Sequence, residues 1–245
     1  MCGFAGAIAP DSNLSSTQLV AMADAITHRG PDSAGYWISD DNTVGLAHRR
    51  LAIVDLSEAG HQPMASCSGR YMLAYNGEIY NHQVLRQELE QISARQWRGH
   101  SDTETLLAAI DQWGLQLTLQ KAIGMFALAL WDNQTLTLQL ARDRFGEKPL
   151  YYGWQQGYFL FGSQLNAIRA HDGFTPEINR DAITLLLRHN YIPAPHSIYK
   201  DIYKLLPGSI LTLDAKQQLS IETYWSARDA MAQGAAEIST AAESQ

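Results

Sequence analysis

Only two of the 245 residues are cysteine, Cys2 and Cys67. Two thiols cannot make a disulfide framework, and the eight histidines show no ligand spacing around them. Neither a stapled extracellular fold nor a metal centre is expected. Basic residues are short as well: 18 Lys and Arg face 25 Asp and Glu, for a net charge of −7. A phosphate backbone needs a basic face, so nucleic acid is excluded as the main partner. No apolar run reaches the length of a membrane span, and no basic region precedes the small apolar residues at the start. Neither a membrane anchor nor a signal peptide is therefore expected. Gly-rich phosphate loops of the P-loop or dinucleotide type are missing, as are repeats of solenoid length. The compartment these absences predict is the reducing cytoplasm.

What is present is ordinary globular material: 46% apolar and 18% charged residues, enough for a well-buried core. "CGFAGAIA" reads as a strand and "STQLVAMADAIT" as a helix capped by Ser16 or Thr17, with "RGPDSAG" breaking the pattern. "GYWIS" and "TVGLAHRRLAIVDL" read as strands, and "YMLAYNGEIYN" as a strand entering a Gly-containing turn. Two helices follow, "HQVLRQELEQI" and "SDTETLLAAIDQWG". The second carries a capping box from Ser101 to Glu104 and a stop at Gly114. "GMFALALWD", "TLTLQLARD", "PLYYGWQ" and "YFLFGS" are further strands, then comes the helix "NRDAITLLLRH" and a proline-punctuated extended segment. Strands, helices and strands again, without βαβ alternation, define an α+β fold. After Trp225 the composition turns to Ala, Ser, Gln and Glu, which reads as a linker or tail over 226–245 following one domain over 1–225.

Several stretches can carry chemistry. Cys2 becomes the first residue once Met1 is removed, which its small side chain permits. It would then present a thiol beside its own α-amine, nucleophile and base on one residue. Arg49 and Arg50 occupy adjacent strand positions, so they point to opposite faces, and one can offer a planar fork to a carboxylate. Asn76-Gly77-Glu78 supplies an amide, an exposed backbone N–H and a carboxylate, as an oxyanion hole requires; a hairpin turn explains Asn-Gly equally well. Asp102 opens a helix, where the dipole alone favours a carboxylate. Arg142, Asp143, Arg144, Glu147 and Lys148 surround a glycine and read as a solvated turn; Cys67 reads as a passive loop cysteine.

Taken in order, "MCGFAGAIA", "HRGPDSAGYW", "LAHRRLAIVDLSEAGHQPM", "AYNGEIYNH", "SDTETLL", "GMFALALWD" and "ARDRFGEKPLYY" closely resemble the N-terminal glutaminase domain of glutamine-hydrolysing asparagine synthetases, a class II glutamine amidotransferase. Each motif alone is weak, but the ordered set, spanning residues 2 to 225, is specific. The resemblance implies a four-layer α/β/β/α sandwich of the N-terminal nucleophile type. It implies that Cys2 attacks the side-chain amide of glutamine, with Asn76 and the Gly77 N–H as oxyanion hole. Arg50 would hold the substrate α-carboxylate, Asp102 and Glu78 its α-ammonium group. The backbone of Arg50, Leu51, Ala52, Ile53 and Val54 would line the pocket. Arg29, Gly30, Pro31 and Asp32 match a structural loop near the site.

In that family ammonia passes to a second domain that uses ATP and magnesium to activate an aspartate carboxylate. Its Ser-Gly-Gly-x-Asp-Ser loop does not occur in these residues, so hydrolysis of glutamine, with no cofactor of its own, is the activity expected. The implied partners are glutamine and the synthetase domain, and a homodimer is left open. Ser163-Gln164-Leu165-Asn166-Ala167 departs from the family's Ser-Glu-x-Lys-Ala, which puts coupling to the second domain in question. "YIPAPHSIYKDIYKLLPG" resembles a subgroup linked to surface-polysaccharide synthesis, where a sugar acid would be the acceptor. A non-catalytic glutamine-binding module is the reading from another class.

Overall fold

The computed structural model describes the backbone of residues 2–9, 13–53 and 55–243, with side chains through 236. The first half holds β1 (Gly3–Ile8), α1 (Ser16–Asp24), β2 (Ser33–Ile38), β3 (Val44–Arg50), β4 (Met64–Ala65) and β5 (Tyr71–Ile79). Three helices follow, α2 (His82–Ile92), α3 (Asp102–Trp113) and α4 (Leu115–Lys121). Then come β6 (Gly124–Asp132), β7 (Thr137–Arg142), β8 (Tyr151–Gln155), β9 (Tyr158–Gly162), α5 (Leu165–Arg169) and α6 (Arg180–His189). The chain finishes with β10 (Ile202–Lys204), β11 (Ser209–Leu213), β12 (Leu219–Thr223) and α7 (Ala227–Glu243).

The strands make two antiparallel sheets. One runs β10-β8-β9-β1-β3-β2, the other β12-β11-β7-β6-β5-β4. Alternation along each strand sorts the side chains into layers. Phe4, Val44, Leu46, Ala74, Ala127 and Ala129 meet between the sheets. Leu73, Tyr75, Ile79, Phe126 and Leu128 face outward onto Leu85, Leu106 and Ile110 of α2 and α3. Ala5 and Ala47 on the other side meet Leu19 and Met22 of α1 and Ala167 of α5. Helices, sheet, sheet and helices give the four layers expected for the fold, each sheet having both faces covered.

Local chemistry explains most boundaries and moves some. The first helix is capped by Ser15 rather than Ser16, with Gln18 closing a reciprocal box. Ser101 does cap α3 by accepting from Glu104 N, but the Glu104 carboxylate accepts from Arg98 N and Gly99 N instead of returning to Ser101. The strand expected to run through "LAIVDL" stops at Arg50, because Leu51 onward leaves the sheet to wrap the site. Asn76 and Gly77 lie inside β5 and not in a turn: the strand continues to Ile79 in register with β6. Residues 227–243 form one helix whose described side chains are mostly exposed.

Candidate active site

Side-chain parity brings the site together. In β3 the even positions His48 and Arg50 follow Val44 and Leu46 into the slot between the sheets, while Arg49 turns outward, its Nε donating to Ala23 O. Arg49 also pairs with Asp24 on α1. The expectation that the two arginines face opposite ways is met. In β5 the even positions Ala74, Asn76 and Glu78 face the same slot. The register Gly3↔Arg49 carries the residue before β1 to the end of β3. There Leu51 N–H donates to Cys2 Sγ at 3.3 Å, and the Sγ lies 3.5 Å from Leu51 O.

These residues share one cleft with an empty volume of about 670 Å³, part of it open to solvent. Cys2, Arg50, Leu51, Ile53, Asn76, Gly77, Glu78 and Asp102 all line it. Ala52 is turned aside, its N–H donating to Asp32 Oδ2 at 2.9 Å. Val54 lies outside the described residues, as does Met1.

The proposed donors stand out by having no partner. Asn76 is 1% exposed, yet its Nδ2 makes no hydrogen bond among the described residues. Gly77 N–H points away from β6. The Tyr80 N–H to Ile123 O bond makes the even residues of β5 the ones paired with β6, so the odd ones present their N–H groups at the other edge. β4 covers that edge only as far as Leu73. Beyond it Tyr75 N donates to Gln62 Oε1 at 2.7 Å and Ile79 N donates to Asp102 Oδ2 at 2.9 Å. Gly77 N–H, between them, is left to the cleft. No Cβ could sit there: it would lie 2.2 Å from Met125 O.

Asp102 Oδ2 also accepts from Tyr75 OH at 2.8 Å, which leaves Oδ1 without a hydrogen bond among the described residues. Burial and the Asp102 charge push the Tyr75 phenol well above its usual range, so it stays a donor. Arg50 donates from Nη1 to Ser57 O at 2.9 Å and from Nη2 to Asp55 O. A Cβ on Gly60 would press on the guanidinium at 2.2 Å, so this loop fits closely around it. The loop is itself pinned by Asp55. Its carboxylate accepts from Ser57 Oγ and N and from His100 N, which lowers its pKa to about 2. Glu78 is exposed at the mouth.

The 29–32 loop braces this arrangement from outside the cleft. Arg29 Nε donates to Cys2 O at 2.9 Å, and burial holds the guanidinium pKa below its ordinary value. Gly30 packs on the Arg49–Arg50 backbone, where a Cβ would come within 2.3 Å, and Pro31 is exposed. Asp32 N donates to Arg50 O at 3.1 Å.

Sequence reasoning missed several supporting residues. Ser163 Oγ accepts from Phe4 N at 3.1 Å and steadies the strand behind Cys2. Asp143, read as part of a solvated turn, is buried and accepts from the N–H groups of Phe126, Phe145, Glu147 and Lys148. Lys148 is buried too and lines the cleft. Gln164 stands at the start of α5 without a side-chain capping hydrogen bond, and Asn166 is exposed. Among the described residues no group of three His, Cys, Asp or Glu side chains could hold a metal ion, and no helix is long and apolar enough to cross a membrane.

Two stacked antiparallel sheets flanked by helices make the α/β/β/α sandwich of the N-terminal nucleophile type of fold. The fold agrees with a solved one: the glutamine phosphoribosylpyrophosphate amidotransferase of B. subtilis superposes with a TM-score of 0.67 at 20% identity, over 91% of this chain and 49% of that one. The chain belongs to the glutamine amidotransferase domain family, whose model matches residues 1–225. A putative glutamine-hydrolysing asparagine synthetase of Methanocaldococcus jannaschii is 34% identical over 94% of this chain and 47% of its own length. Asparagine synthetase [glutamine-hydrolyzing] 3 of Bacillus subtilis is 36% identical over 92% of this chain and 36% of its own. The chain thus spans about half, or little more than a third, of these curated relatives.

Proposed function

We propose that this domain hydrolyses glutamine to glutamate and ammonia through a thioester on Cys2. The observation that carries the proposal is the pair of unpartnered donors, Asn76 Nδ2 and Gly77 N–H, facing the cleft that holds the Cys2 thiol. With Met1 removed, the α-amine of Cys2 takes the thiol proton. The sulfur adds to the γ-carbonyl carbon, and the carbonyl oxygen becomes an oxyanion held by the two donors. Collapse breaks the C–N bond, and the α-ammonium returns the proton to the leaving ammonia. Water then adds to the thioester, releasing glutamate and the thiol. Arg50 binds the substrate carboxylate, while Asp102 Oδ1 and Glu78 bind its ammonium group, one cationic fork and two anions for a zwitterion.

In this proposal the ammonia serves an ATP- and magnesium-dependent domain that amidates aspartate. Ile53, Leu56, Tyr80 and Phe145 are exposed apolar side chains available for contact with it. One of the relatives, a 33% identical amidase of Gibberella zeae, carries a different name, which favours a second reading in which the same glutaminase serves another acceptor.

Intact mass and glutamate release, measured on one sample with Cys2→Ala as control, test the proposal. A chain without Met1 that releases glutamate, with a silent Cys2→Ala, is the expected result. A processed wild type that binds glutamine but releases no glutamate would overturn it in favour of a binding module.

A further inference from the structure

The parts of the proposed reaction are divided between the two sheets. Cys2 and Arg50 belong to the sheet of β1 and β3, while Asn76 and Gly77 belong to that of β5 and β6. Attack and oxyanion stabilisation therefore depend on how one sheet sits on the other. Away from the cleft the interface between them is apolar: Phe4, Phe159 and Phe161 of one sheet meet Ala74, Ala127, Ala129 and Leu140 of the other. Apolar contact is non-directional, so it brings the sheets together without itself aiming any polar group at the cleft.

A hydrogen bond supplies the missing direction. His48 Nε2–H, on β3, donates to Tyr75 O, on β5, at 3.0 Å. Among the described residues it is the side-chain hydrogen bond that joins a strand of one sheet directly to a strand of the other. It falls on the peptide unit that leads into Asn76. His48 is 1% exposed, and its Nδ1 has no partner among the described residues, so the imidazole makes this polar contact and no other with them. The carbonyl can only accept, which fixes the Nε2–H tautomer. Gln62 holds the N–H of the same residue and Asp102 its hydroxyl, so all three polar atoms of Tyr75 are anchored.

We infer that His48 is a positioning residue: it locks the oxyanion-hole strand of one sheet onto the nucleophile-bearing sheet without touching the substrate. The inference rests on the glutaminase reading. A slip of about 1 Å in such a geometry costs on the order of 100-fold in rate.

The test compares His48→Asn with His48→Gln. Both place an amide in the same buried site, but only glutamine is long enough to put its N–H near Tyr75 O. His48→Asn is expected to lower kcat for glutamate release by about 10- to 100-fold, with KM for glutamine within about 3-fold. Alkylation of Cys2 by iodoacetamide, which needs the thiol but not the oxyanion hole, is expected to keep its rate, and His48→Gln is expected to stay within about 3-fold of wild-type kcat. A folded His48→Asn with wild-type kcat, a folded His48→Gln as slow as His48→Asn, or an alkylation rate that falls in step with kcat overturns the inference. Should His48→Asn fail to fold, ¹⁵N NMR of the wild-type imidazole decides: the Nε2–H tautomer is expected, and the Nδ1–H tautomer refutes the tie. A wild type that releases no glutamate overturns the glutaminase reading and this inference with it; loss of the His48 effect alone leaves that reading standing.

Discussion

A buried amide nitrogen without a partner, as at Asn76, costs the fold about 1–3 kcal/mol. The same atom is satisfied once a substrate oxygen reaches it, and the stabilisation is greatest when that oxygen carries charge. Asn76→Ala is therefore expected to lower kcat for glutamate release by about 10²–10³-fold while leaving KM nearly unchanged. Its thermal midpoint should hold or rise, because an unsatisfied donor has been removed from a site that opens onto a cleft. Steady-state kinetics and a melting curve on one preparation check both halves. A large loss of stability instead would mean that Asn76 is a structural residue.

At the level of elements, β5 does two things at once: its even positions fill the slot and its odd N–H groups form the working edge. Gly77 is required by β6, not by a turn. Adding a methyl group would drive it into Met125 O at 2.2 Å and push the two strands apart. Gly77→Ala is expected to destabilise the domain by about 1–3 kcal/mol, read from urea unfolding, and to abolish glutamate release even at temperatures where it stays folded. Asn-Gly in isolation resembles a hairpin turn, and the sequence could not show that a neighbouring strand runs this close. The helices α2 and α3 were readable to the residue, since periodicity and caps are local signals. The seven-residue α4 and five-residue α5 are too short for their periodicity to register. That Cys2, Arg50, Asn76 and Asp102 share one cleft was legible only through the ordered set of motifs that carries the family resemblance, since each motif alone has a structural explanation. His48 and Gln62 were not legible, because their contacts to Tyr75 span 27 and 13 residues and follow from the sheet stacking. Asp143 escaped for a related reason: a cluster of charges does not announce which carboxylate turns inward to collect backbone N–H groups.

Across the whole molecule, stacking two sheets with a polar residue between them makes stability depend on pH. Burial lowers the His48 pKa from 6.5 to about 4, so the ring is neutral in the native state at pH 7. The unfolded chain takes up the proton near pH 6.5, and the native state resists it until about pH 4. Stability is therefore full above about 6.5 and falls as pH drops through this window, by about 3 kcal/mol at pH 4 from this one group. His171, also held below its usual value by burial, acts in the same direction. Asp55 enters later: its pKa is lowered from 3.8 to about 2, chiefly by the Ser57 hydroxyl and the His100 N–H. Its contribution is present above 3.8 and is lost as pH falls toward 2. Urea unfolding of wild type and His48→Gln at pH 7, 5.5 and 4.5 separates these groups. Wild type should lose stability steeply over that range, and the variant should lose much less, since its amide does not titrate. Equal slopes for the two proteins would show that the imidazole between the sheets is already hydrated or charged at neutral pH. The directional tie between the two sheets would then have to be sought elsewhere, as in Arg142 of β7, whose Nη1 donates to Leu205 O just past β10 at 2.7 Å.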